Sequence, residues 1–346
     1  MKICFFGLYD PDYSRNRIIL HGLRENGIEV LECRTESRSL KKYIQLARCL
    51  KKIQGDYDFI LVAFPGFQSV VVAYLFGNKP IIFDSFASIY DSMVNDRAQV
   101  SKYSIKGFYF WFIDWLSMKL SSVVLFDTVE NMKYAIKTFG VQKNKLVVIP
   151  VGSIYNGQES AKTEYDSKTH VFFYGSYVPL QGISTIIKSA KILEPNQYLD
   201  FEIVGDGQEK NKILSLVEEL DVKNITFTNK VSAETLKNKI VQSDICLGIF
   251  GGTEKTSRVI PNKVYDYVAL GKPAITLDTP AIREIFDDED LILVEDNSPE
   301  KLAVAIDLVY RNLEKYESLA KNLKVRTLEV LSQKVIAKII LDSIKK

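Results

Sequence analysis

Short runs of β-branched and aromatic residues alternate along the chain with longer amphipathic segments. This alternation predicts parallel sheets covered by helices. In the first half the predicted strands are Lys2–Phe6, Glu29–Glu32, Phe59–Ala63, Pro80–Asp84, Ser122–Phe126 and Lys145–Ile149. The predicted helices are Ser14–Asn26, Leu40–Ile53, Gln68–Phe76, Ile105–Leu120 and Glu130–Phe139. Ser14 is expected to cap the first helix, and Gly27 is expected to end it.

The alternation stops at residues 156–168, which are polar and aperiodic and predict a linker. It restarts with strands at His170–Tyr174, Asp200–Val204, Ile225–Phe227, Ile245–Ile249, Ala274–Leu277 and Leu291–Val294, and it closes with helices at Ser298–Tyr310, Leu313–Val330 and Lys334–Ile344. We therefore expect two doubly wound, Rossmann-like α/β domains in tandem, at residues 1–155 and 169–325. Residues 326–346 predict a C-terminal helix, with packing against the first domain as one alternative.

Composition and charge narrow the functional classes. With 346 residues, 47% apolar and 25% charged, the chain is long enough for two ordinary soluble domains. Residues 1–155 carry a net charge of +6 and the remainder −4, an excess too small to indicate nucleic-acid binding. Four scattered cysteines and two histidines predict neither a zinc site nor a disulfide framework and are typical of a reducing cytoplasm. The start of the chain does not have the shape of a signal peptide.

Common nucleotide-binding and hydrolase motifs are absent from the sequence. The loop after the first strand has one glycine, Gly7, where a dinucleotide fingerprint needs three, and Gly205-Asp-Gly207 also lacks the third. The chain has neither a Walker lysine loop nor a Gly-x-Ser-x-Gly elbow. Dinucleotide, P-loop and serine-hydrolase chemistry are therefore disfavoured.

The densest group of ligand-binding residue types lies between residues 250 and 263. The glycine pair Gly251-Gly252 allows backbone to approach a ligand, and Thr253 follows it. Lys255, Arg258 and Lys263 add positive charge beside the N-terminus of the next predicted helix, which favours an anion. A solvated loop before a surface helix is the alternative that composition leaves open.

The segment from Pro261 to Pro273 reads Pro-x-Lys-x-x-Asp-Tyr-x-Ala-x-Gly-Lys-Pro. It resembles the donor-site helix of family-4-type retaining glycosyltransferases of the GT-B fold. Other segments resemble that family in the same order, namely the phosphate loop in Phe173–Gly182, the Val-Gly-Asp-Gly turn in Ile203–Glu209, the base-facing segment Lys230–Leu236 and the last elements of the first domain in Val123–Thr128 and Val147–Gly152. The likeness is strong in residues 170–310 and diffuse before residue 120.

The resemblance implies sugar transfer from a nucleotide diphosphate sugar in a cleft between the two domains, with retention of configuration and without a metal or other cofactor. Asp266 matches the acidic residue that holds the ribose. The positions implied to bind the donor are Gly175, Ser176, Gln181, Gly205, Lys230, Val231, Gly251, Gly252, Thr253, Lys263 and Asp266. This chain departs from the family where Arg258 replaces the first acidic residue, and where Ser176 and Gln181 replace the phosphate-loop cations. Lys255 and Arg258 are therefore the predicted catalytic cations.

Three residues of the first half are candidates for acceptor binding. Arg15 and Asn16 open the first predicted helix, where an arginine and an amide make a good site for an anion or a sugar hydroxyl. Asp84 ends a strand and is predicted to be a catalytic residue that orients an acceptor hydroxyl. Exposed arginines and a plain turn carboxylate are the alternatives.

The predicted helix Leu40–Ile53 has an apolar stripe, several basic residues and no acid. Such helices can lie on anionic lipid, although the stripe more often packs on its own sheet. Together with the aromatic run Gly107–Phe112, it makes contact with the inner face of the membrane an open alternative to a purely cytoplasmic location. A lipid-linked acceptor would suit such contact.

The sequence thus predicts a cytoplasmic glycosyltransferase whose partners are a nucleotide-sugar donor and a saccharide or lipid-linked acceptor, with no nucleic acid. A sugar-nucleotide epimerase on the same fold and a non-catalytic nucleotide-sugar-binding subunit are the rival interpretations. The missing acidic residue at position 258 and the missing phosphate-loop cations keep the second rival open.

Overall fold

A computed structural model describes residues 1–37, 39, 41–155, 162 and 167–345. The chain forms two compact units. The first comprises Met1–Ile154 together with Leu331–Lys346, and the second comprises Tyr155–Val330. Most of the predicted linker, residues 156–161 and 163–166, lies outside the described residues.

The first unit contains a six-stranded parallel sheet in the order β2-β1-β3-β4-β5-β6. Its strands are β1 (Lys2–Gly7), β2 (Glu29–Arg34), β3 (Phe59–Val62), β4 (Ile81–Asp84), β5 (Val123–Phe126) and β6 (Leu146–Val148). Its helices are α1 (Ser14–Glu25), α2 (Lys41–Lys52), α3 (Phe67–Phe76), α4 (Ile105–Leu120), α5 (Val129–Phe139) and α12 (Gln333–Ser343). A short π-helix, Asp91–Asp96, was not predicted from the sequence.

The alternating side chains of β1 build two cores, one on each face of the first sheet. Cys4 and Phe6 pack with residues of α2 to α5, whereas Ile3 and Phe5 pack with residues of α1 and α12. The C-terminal helix approaches α1 at Gly22, where an added Cβ would lie 2.0 Å from the carbonyl oxygen of Gln333. The chain therefore returns to the first unit to cover one face of its sheet.

The second unit contains a parallel sheet in the order β12-β11-β10-β7-β8-β9. Its strands are β7 (Thr169–Ser176), β8 (Leu199–Asp206), β9 (Ile225–Thr228), β10 (Ile245–Leu247), β11 (Ala274–Leu277) and β12 (Ile292–Val294). Its helices are α6 (Ile183–Leu193), α7 (Lys210–Leu220), α8 (Ala233–Gln242), α9 (Asn262–Ala269), α10 (Pro299–Arg311) and α11 (Leu313–Val330). Ser298 caps α10 by accepting the Lys301 N–H, and Pro299 occupies its first turn.

The structure corrects two predictions about particular residues. Ser14 is the first residue of α1 and not its cap, a position taken by Tyr13 without a side-chain hydrogen bond. Cys33 and Cys49 form a disulfide with their Cα atoms 6.0 Å apart, although the sequence spacing indicated no disulfide. Gly27 ends α1 as predicted, since it follows the C-cap with a φ of +73°.

The basic helix α2 packs mainly on its own sheet. Leu46, Ala47 and Leu50 are buried in the core, whereas Ile44 is exposed. The apolar stripe is therefore covered at Ala47 and Leu50 and only partly at Tyr43, and its first residue, Leu40, lies outside the described residues.

Candidate functional site

The second sheet has a topological switch point between β7 and β10. These strands are neighbours, but the chain leads from β7 to β8 on one side and from β10 to β11 on the other. Open parallel sheets bind ligands in the crevice at the carboxyl ends of two such strands. Two segments leave the sheet there. The β7 loop, residues 175–182, starts with the last two residues of β7, and the β10 loop comprises residues 248–261.

Glycines bring these two loops into direct backbone contact. An added Cβ on Gly251 would lie 2.4 Å from the carbonyl oxygen of Leu180, and one on Gly182 would lie 2.1 Å from the carbonyl carbon of Phe250. The Phe250 N–H donates to the Gln181 carbonyl over 3.0 Å. Any larger residue at either glycine would push the loops apart.

The end of β8 also contacts the β7 loop. Gly205 has a φ of +150°, and an added Cβ there would lie 1.9 Å from the Gly175 carbonyl oxygen. The Tyr177 N–H donates to the Asp206 carbonyl over 3.0 Å. The Val-Gly-Asp-Gly segment that the sequence analysis identified thus packs against the β7 loop and holds it in place.

Lys263, in the first turn of α9, reaches the β7 loop. Its Nζ donates to Gln181 Oε1 over 2.6 Å and to the Gly248 carbonyl over 3.3 Å. The same Nζ lies 3.4 Å from the centroid of the Phe173 ring, and an added Cβ on Gly175 would lie 3.0 Å from it. Only 4% of Lys263 is exposed, and this burial holds its pKa well below the usual value. A lysine at the start of α9 therefore lies beside Gln181, the position at which the sequence resemblance implied a cation on the loop.

One turn further along α9, Asp266 meets Tyr174. The Tyr174 hydroxyl donates to Asp266 Oδ2 over 2.6 Å, and Asp266 is nearly buried. Burial first, and then the nearby carboxylate, raise the pKa of Tyr174 well above its usual value. Sequence reasoning missed Tyr174, although it directly precedes Gly175 in the segment that resembles the phosphate loop.

Two further cations lie in the 3₁₀ turn Glu254–Arg258 of the β10 loop. Lys255 and Arg258 are both nearly buried, and Arg258 Nη1 lies 3.8 Å from the carboxylate of the exposed Glu254. With Lys263, the β10 loop and the start of α9 carry three basic side chains, each at least nine-tenths buried. Basic groups on this loop and on the helix that follows it suit an anionic ligand, which would favour the charged form of Lys263.

The remaining predicted donor residues differ in their surroundings. Gly252 faces Asn297, since an added Cβ would lie 2.9 Å from its Nδ2, and the hydroxyl oxygens of Thr253 and Thr256 are 3.2 Å apart. Ser176 and Lys230 are exposed, whereas Val231 is half-buried just before α8. Ser176, Lys230 and Gly252 are thus open to solvent, whereas Thr253 and Val231 are half-buried.

In the first unit, Arg15 and Asp84 bind each other instead of facing a ligand. Arg15 Nε and Nη2 donate to the Asp84 carboxylate over 2.9–3.2 Å, and Nη1 donates to the carbonyls of Ile149 and Pro150 over 3.0 and 3.1 Å. Neither side chain has any exposed surface. This burial corrects the expectation that Arg15 binds an anion and that Asp84 orients an acceptor hydroxyl. The pair instead links the ends of β4 and β6 to α1.

Asn16 is likewise fully buried, and it joins two loops of the first sheet. Its Nδ2 donates to the carbonyls of Asp10 and Phe64 over 3.0 and 2.7 Å, in the loops after β1 and β3. Within the described part of the chain, Asn16 Oδ1 accepts no hydrogen bond. The predicted sugar-binding role of Asn16 is therefore replaced by a role in shaping the β1 loop.

A cavity that the sequence did not reveal lies in the first unit, at the carboxyl ends of β1 and β2. It has a volume of 620 Å³ and is lined by residues 8–12 and 34–37 and by Lys42. Its ionisable side chains include those of Asp10, Asp12, Arg34, Glu36 and Lys42. The polar loop Gly-Leu-Tyr-Asp-Pro-Asp after the first strand is the sequence feature that could have indicated this cavity.

Two features are absent from the residues that the structure describes. No group of three or more His, Cys, Asp or Glu side chains in them is arranged to hold a metal ion. No helix among them combines the length and the apolar character needed to cross a membrane.

Comparison with known proteins finds similarity to glycosyltransferases in the second unit. Residues 156–326 match the family described as glycosyl transferases group 1. A relative, chitobiosyldiphosphodolichol beta-mannosyltransferase of Candida albicans, is 30% identical over 181 residues, which is 46% of this chain and 38% of the relative. The match thus spans well under half of that relative's length.

Solved structures confirm the predicted fold class. HepE of Anabaena, in complex with UDP and glucose, has a TM-score of 0.76 at 13% identity, over 100% of this chain and 99% of HepE. Sucrose-phosphate synthase of Thermosynechococcus elongatus has a TM-score of 0.77 at 13% identity, over 100% of this chain and 98% of the synthase. Each unit of this chain is thus a Rossmann-like domain of the GT-B class.

Proposed function

We propose that this protein is a glycosyltransferase that moves a hexose-like sugar from a nucleotide diphosphate sugar to a saccharide or lipid-linked acceptor. The observation that carries the proposal is the position of Lys255, Arg258 and Lys263. All three lie within the glycosyl transferases group 1 match, at the switch point where parallel sheets bind ligands. The relative from Candida albicans is named for transfer to a saccharide carried on diphosphodolichol, and HepE was solved with UDP and glucose.

The second unit would bind the donor. The β7 loop and the N-terminus of α9 approach each other through Lys263, so a diphosphate placed there would meet backbone N–H groups and the Lys263 ammonium. Asp266, held by the Tyr174 hydroxyl, would accept hydrogen bonds from the ribose. Lys230 and Val231 would lie near the base, as the family resemblance implies.

Catalysis would come mainly from stabilising the departing diphosphate. Fixed positive charge aimed at a developing anion lowers the barrier without reorganisation during the reaction. Lys255 and Arg258 would supply that charge in the place of a metal ion. Transfer would accordingly be metal-independent and, as the resemblance implies, retaining. The β-mannosyltransferase name of the relative makes the anomeric outcome a point to measure.

The first unit would bind the acceptor in the cavity at the ends of β1 and β2. Carboxylates at Asp10, Asp12 and Glu36 suit sugar hydroxyls, whereas Arg34 and Lys42 suit a phosphate of a lipid-linked saccharide. This cavity takes over the role that the sequence assigned to Arg15, Asn16 and Asp84.

A donor screen followed by a transfer assay tests the proposal. Thermal shifts are measured with UDP-, GDP-, ADP- and dTDP-sugars and CMP-sugars, since a ligand at 100 times its dissociation constant adds about 2.7 kcal/mol of stability. The stabilising donor is then incubated with and without candidate acceptors, in excess EDTA, and the anomeric proton of the product is assigned by NMR. Acceptor-dependent release of nucleoside diphosphate in EDTA is expected. Donor conversion without any acceptor would indicate an epimerase, and binding without turnover would indicate a non-catalytic subunit.

A further inference from the structure

The first unit exposes apolar side chains along the end of α3 and the start of α4. Ile105 and Phe108 are 91% and 63% exposed, and Tyr103, Tyr109 and Phe112 also lie open to solvent. The end of α3 adds three more exposed apolar residues, 74–76. Single exposed apolar residues are ordinary on a protein surface, but several on two helices that pack together favour an interaction site. We call residues 74–76 and 103–112 the α3–α4 face.

The two helices are fixed to each other below this face. Ser117 Oγ in α4 donates to the Phe67 carbonyl in α3 over 2.8 Å, and Gln68 Nε2 donates to the Tyr109 hydroxyl over 3.1 Å. The Phe108 ring lies nearly parallel to the Phe112 ring, with centroids 6.3 Å apart. The exposed rings therefore belong to an ordered part of the protein and remain in contact with water after folding.

Basic side chains flank these rings, and acidic ones are missing. Lys102 and Lys106 are exposed at the start of α4, and no Asp or Glu occurs between residues 97 and 113. Helix α2 packs beside α3, and its Lys51 Nζ lies 5.5 Å from the centroid of the Phe76 ring. The α3–α4 face thus combines exposed rings with positive charge alone.

We propose that the α3–α4 face binds the surface of an anionic lipid bilayer. Aromatic and aliphatic side chains at positions such as 105 and 108 enter the boundary between headgroups and acyl chains. Lysines at that depth keep their ammonium groups at the lipid phosphates while their stems lie among apolar groups. A protein partner with an acidic groove fits less well, because it would pair with the lysines but leave Ile105 and Phe108 without an apolar environment. This proposal concerns only the binding of the protein to a membrane surface, and its test does not depend on the proposed glycosyl transfer.

Vesicle flotation tests it with the full chain. Wild type and two double variants, Ile105→Ser/Phe108→Ser and Lys102→Glu/Lys106→Glu, are mixed with vesicles of phosphatidylcholine alone or with about 30% phosphatidylglycerol, which gives the bilayer a negative surface potential. We expect wild type to float with the anionic vesicles only, and less as salt rises. Each variant is expected to lose at least about tenfold in partition coefficient.

Val304→Ser/Val325→Ser is the matched control, because Val304 and Val325 are exposed apolar residues on helices of the second unit. It is expected to float like wild type. Circular dichroism and thermal melts check that every variant folds. The proposal is overturned if wild type does not float with anionic vesicles, or if both α3–α4 variants float as well as the control. Light scattering that shows a wild-type dimer, made monomeric by Ile105→Ser/Phe108→Ser, in a protein that does not bind vesicles would assign the face to a second copy instead.

Discussion

The carboxyl edges of the two sheets use charged residues in different ways. At the first edge Arg15 and Asp84 are fully buried and satisfy each other, so that their charges serve packing. At the second edge Lys255, Arg258 and Lys263 gather on one loop and the helix that follows it, against a backbone opened by glycines. Both edges belong to the same kind of sheet. A position at the end of a strand is therefore not enough to make a charged residue bind a ligand.

Removing one member of the buried pair is expected to have the largest effect on stability. Asp84→Ala leaves the Arg15 guanidinium buried without its carboxylate, and such losses cost about 3–5 kcal/mol. We expect that decrease in the free energy of unfolding, measured by urea titration. Glu29→Ala is the control, because the Lys2–Glu29 pair is exposed and an exposed ion pair contributes little to stability. Equal losses in the two variants would show that Asp84 is not a structural partner.

At the second edge, removing charge should affect turnover more than stability. Arg258→Ala is expected to lower kcat by about 10²–10³, the usual cost of losing one preorganised group at a developing anion. Steady-state kinetics with the donor found in the screen measure this effect. Arg311→Ala is the control, since Arg311 pairs with Asp307 on the outside of α10. Wild-type turnover in both Lys255→Ala and Arg258→Ala would remove the β10 loop from the catalytic site.

A smaller effect is expected for the ribose contact. Asp266→Ala should raise the donor's KM by about 10- to 100-fold with little change in kcat, because hydrogen bonds to charged groups contribute about 1.5–3 kcal/mol equally in ground and transition states. Tyr174→Phe should raise KM less, since it removes only the group that holds the carboxylate. A fall in kcat alone for Asp266→Ala would contradict the assignment.

The first unit also contains a carboxyl group that should respond to pH. Burial raises the pKa of Asp114 to about 7, although it accepts hydrogen bonds from Ser88 Oγ and from the N–H groups of Ile89 and Tyr90. Since the folded pKa lies above the usual value of 3.8, the folded state binds more protons between these values. The contribution of Asp114 to stability is therefore complete below pH 4 and is lost as pH rises towards 7.

Asp114→Asn cannot titrate, so the stability difference between wild type and this variant should fall with pH by at most about 1.4 kcal/mol per unit. Urea titrations from about pH 4 to about pH 8 measure it. Exposed carboxylates with lowered pKa values, such as those of Asp288 and Asp296, act in the opposite direction but cancel in the difference. A difference that rises with pH, or stays constant, would contradict the role of burial.

The sequence predicted the fold more completely than the site. The alternation of short apolar runs with amphipathic segments placed the strands of both sheets, because the inner strands of a parallel sheet are buried on both faces. It could not show that Arg15 and Asp84 meet, since 69 residues separate them and only the sheet order brings β4 beside the start of α1. Nor could it show that Lys263 reaches Gln181, because that contact depends on how the β10 loop folds on the β7 loop. The Cys33–Cys49 disulfide is likewise a consequence of the packing of α2 against β2.

The central claim is that Lys263 supplies the positive charge that Ser176 and Gln181 do not. The direct measurement is calorimetric titration of wild type, Lys263→Met and Lys272→Met with the nucleoside diphosphate of the stabilising donor. Lys272 is a half-buried lysine that follows the end of α9 by three residues, and its Nζ donates to the Ser243 carbonyl over 2.9 Å. We predict wild-type affinity for Lys272→Met and a loss of about 10- to 100-fold for Lys263→Met. Repeating the titration in buffers of different ionisation enthalpy should show proton uptake by wild type, because a bound diphosphate favours the ammonium form that burial disfavours. Unchanged affinity in Lys263→Met would contradict the claim.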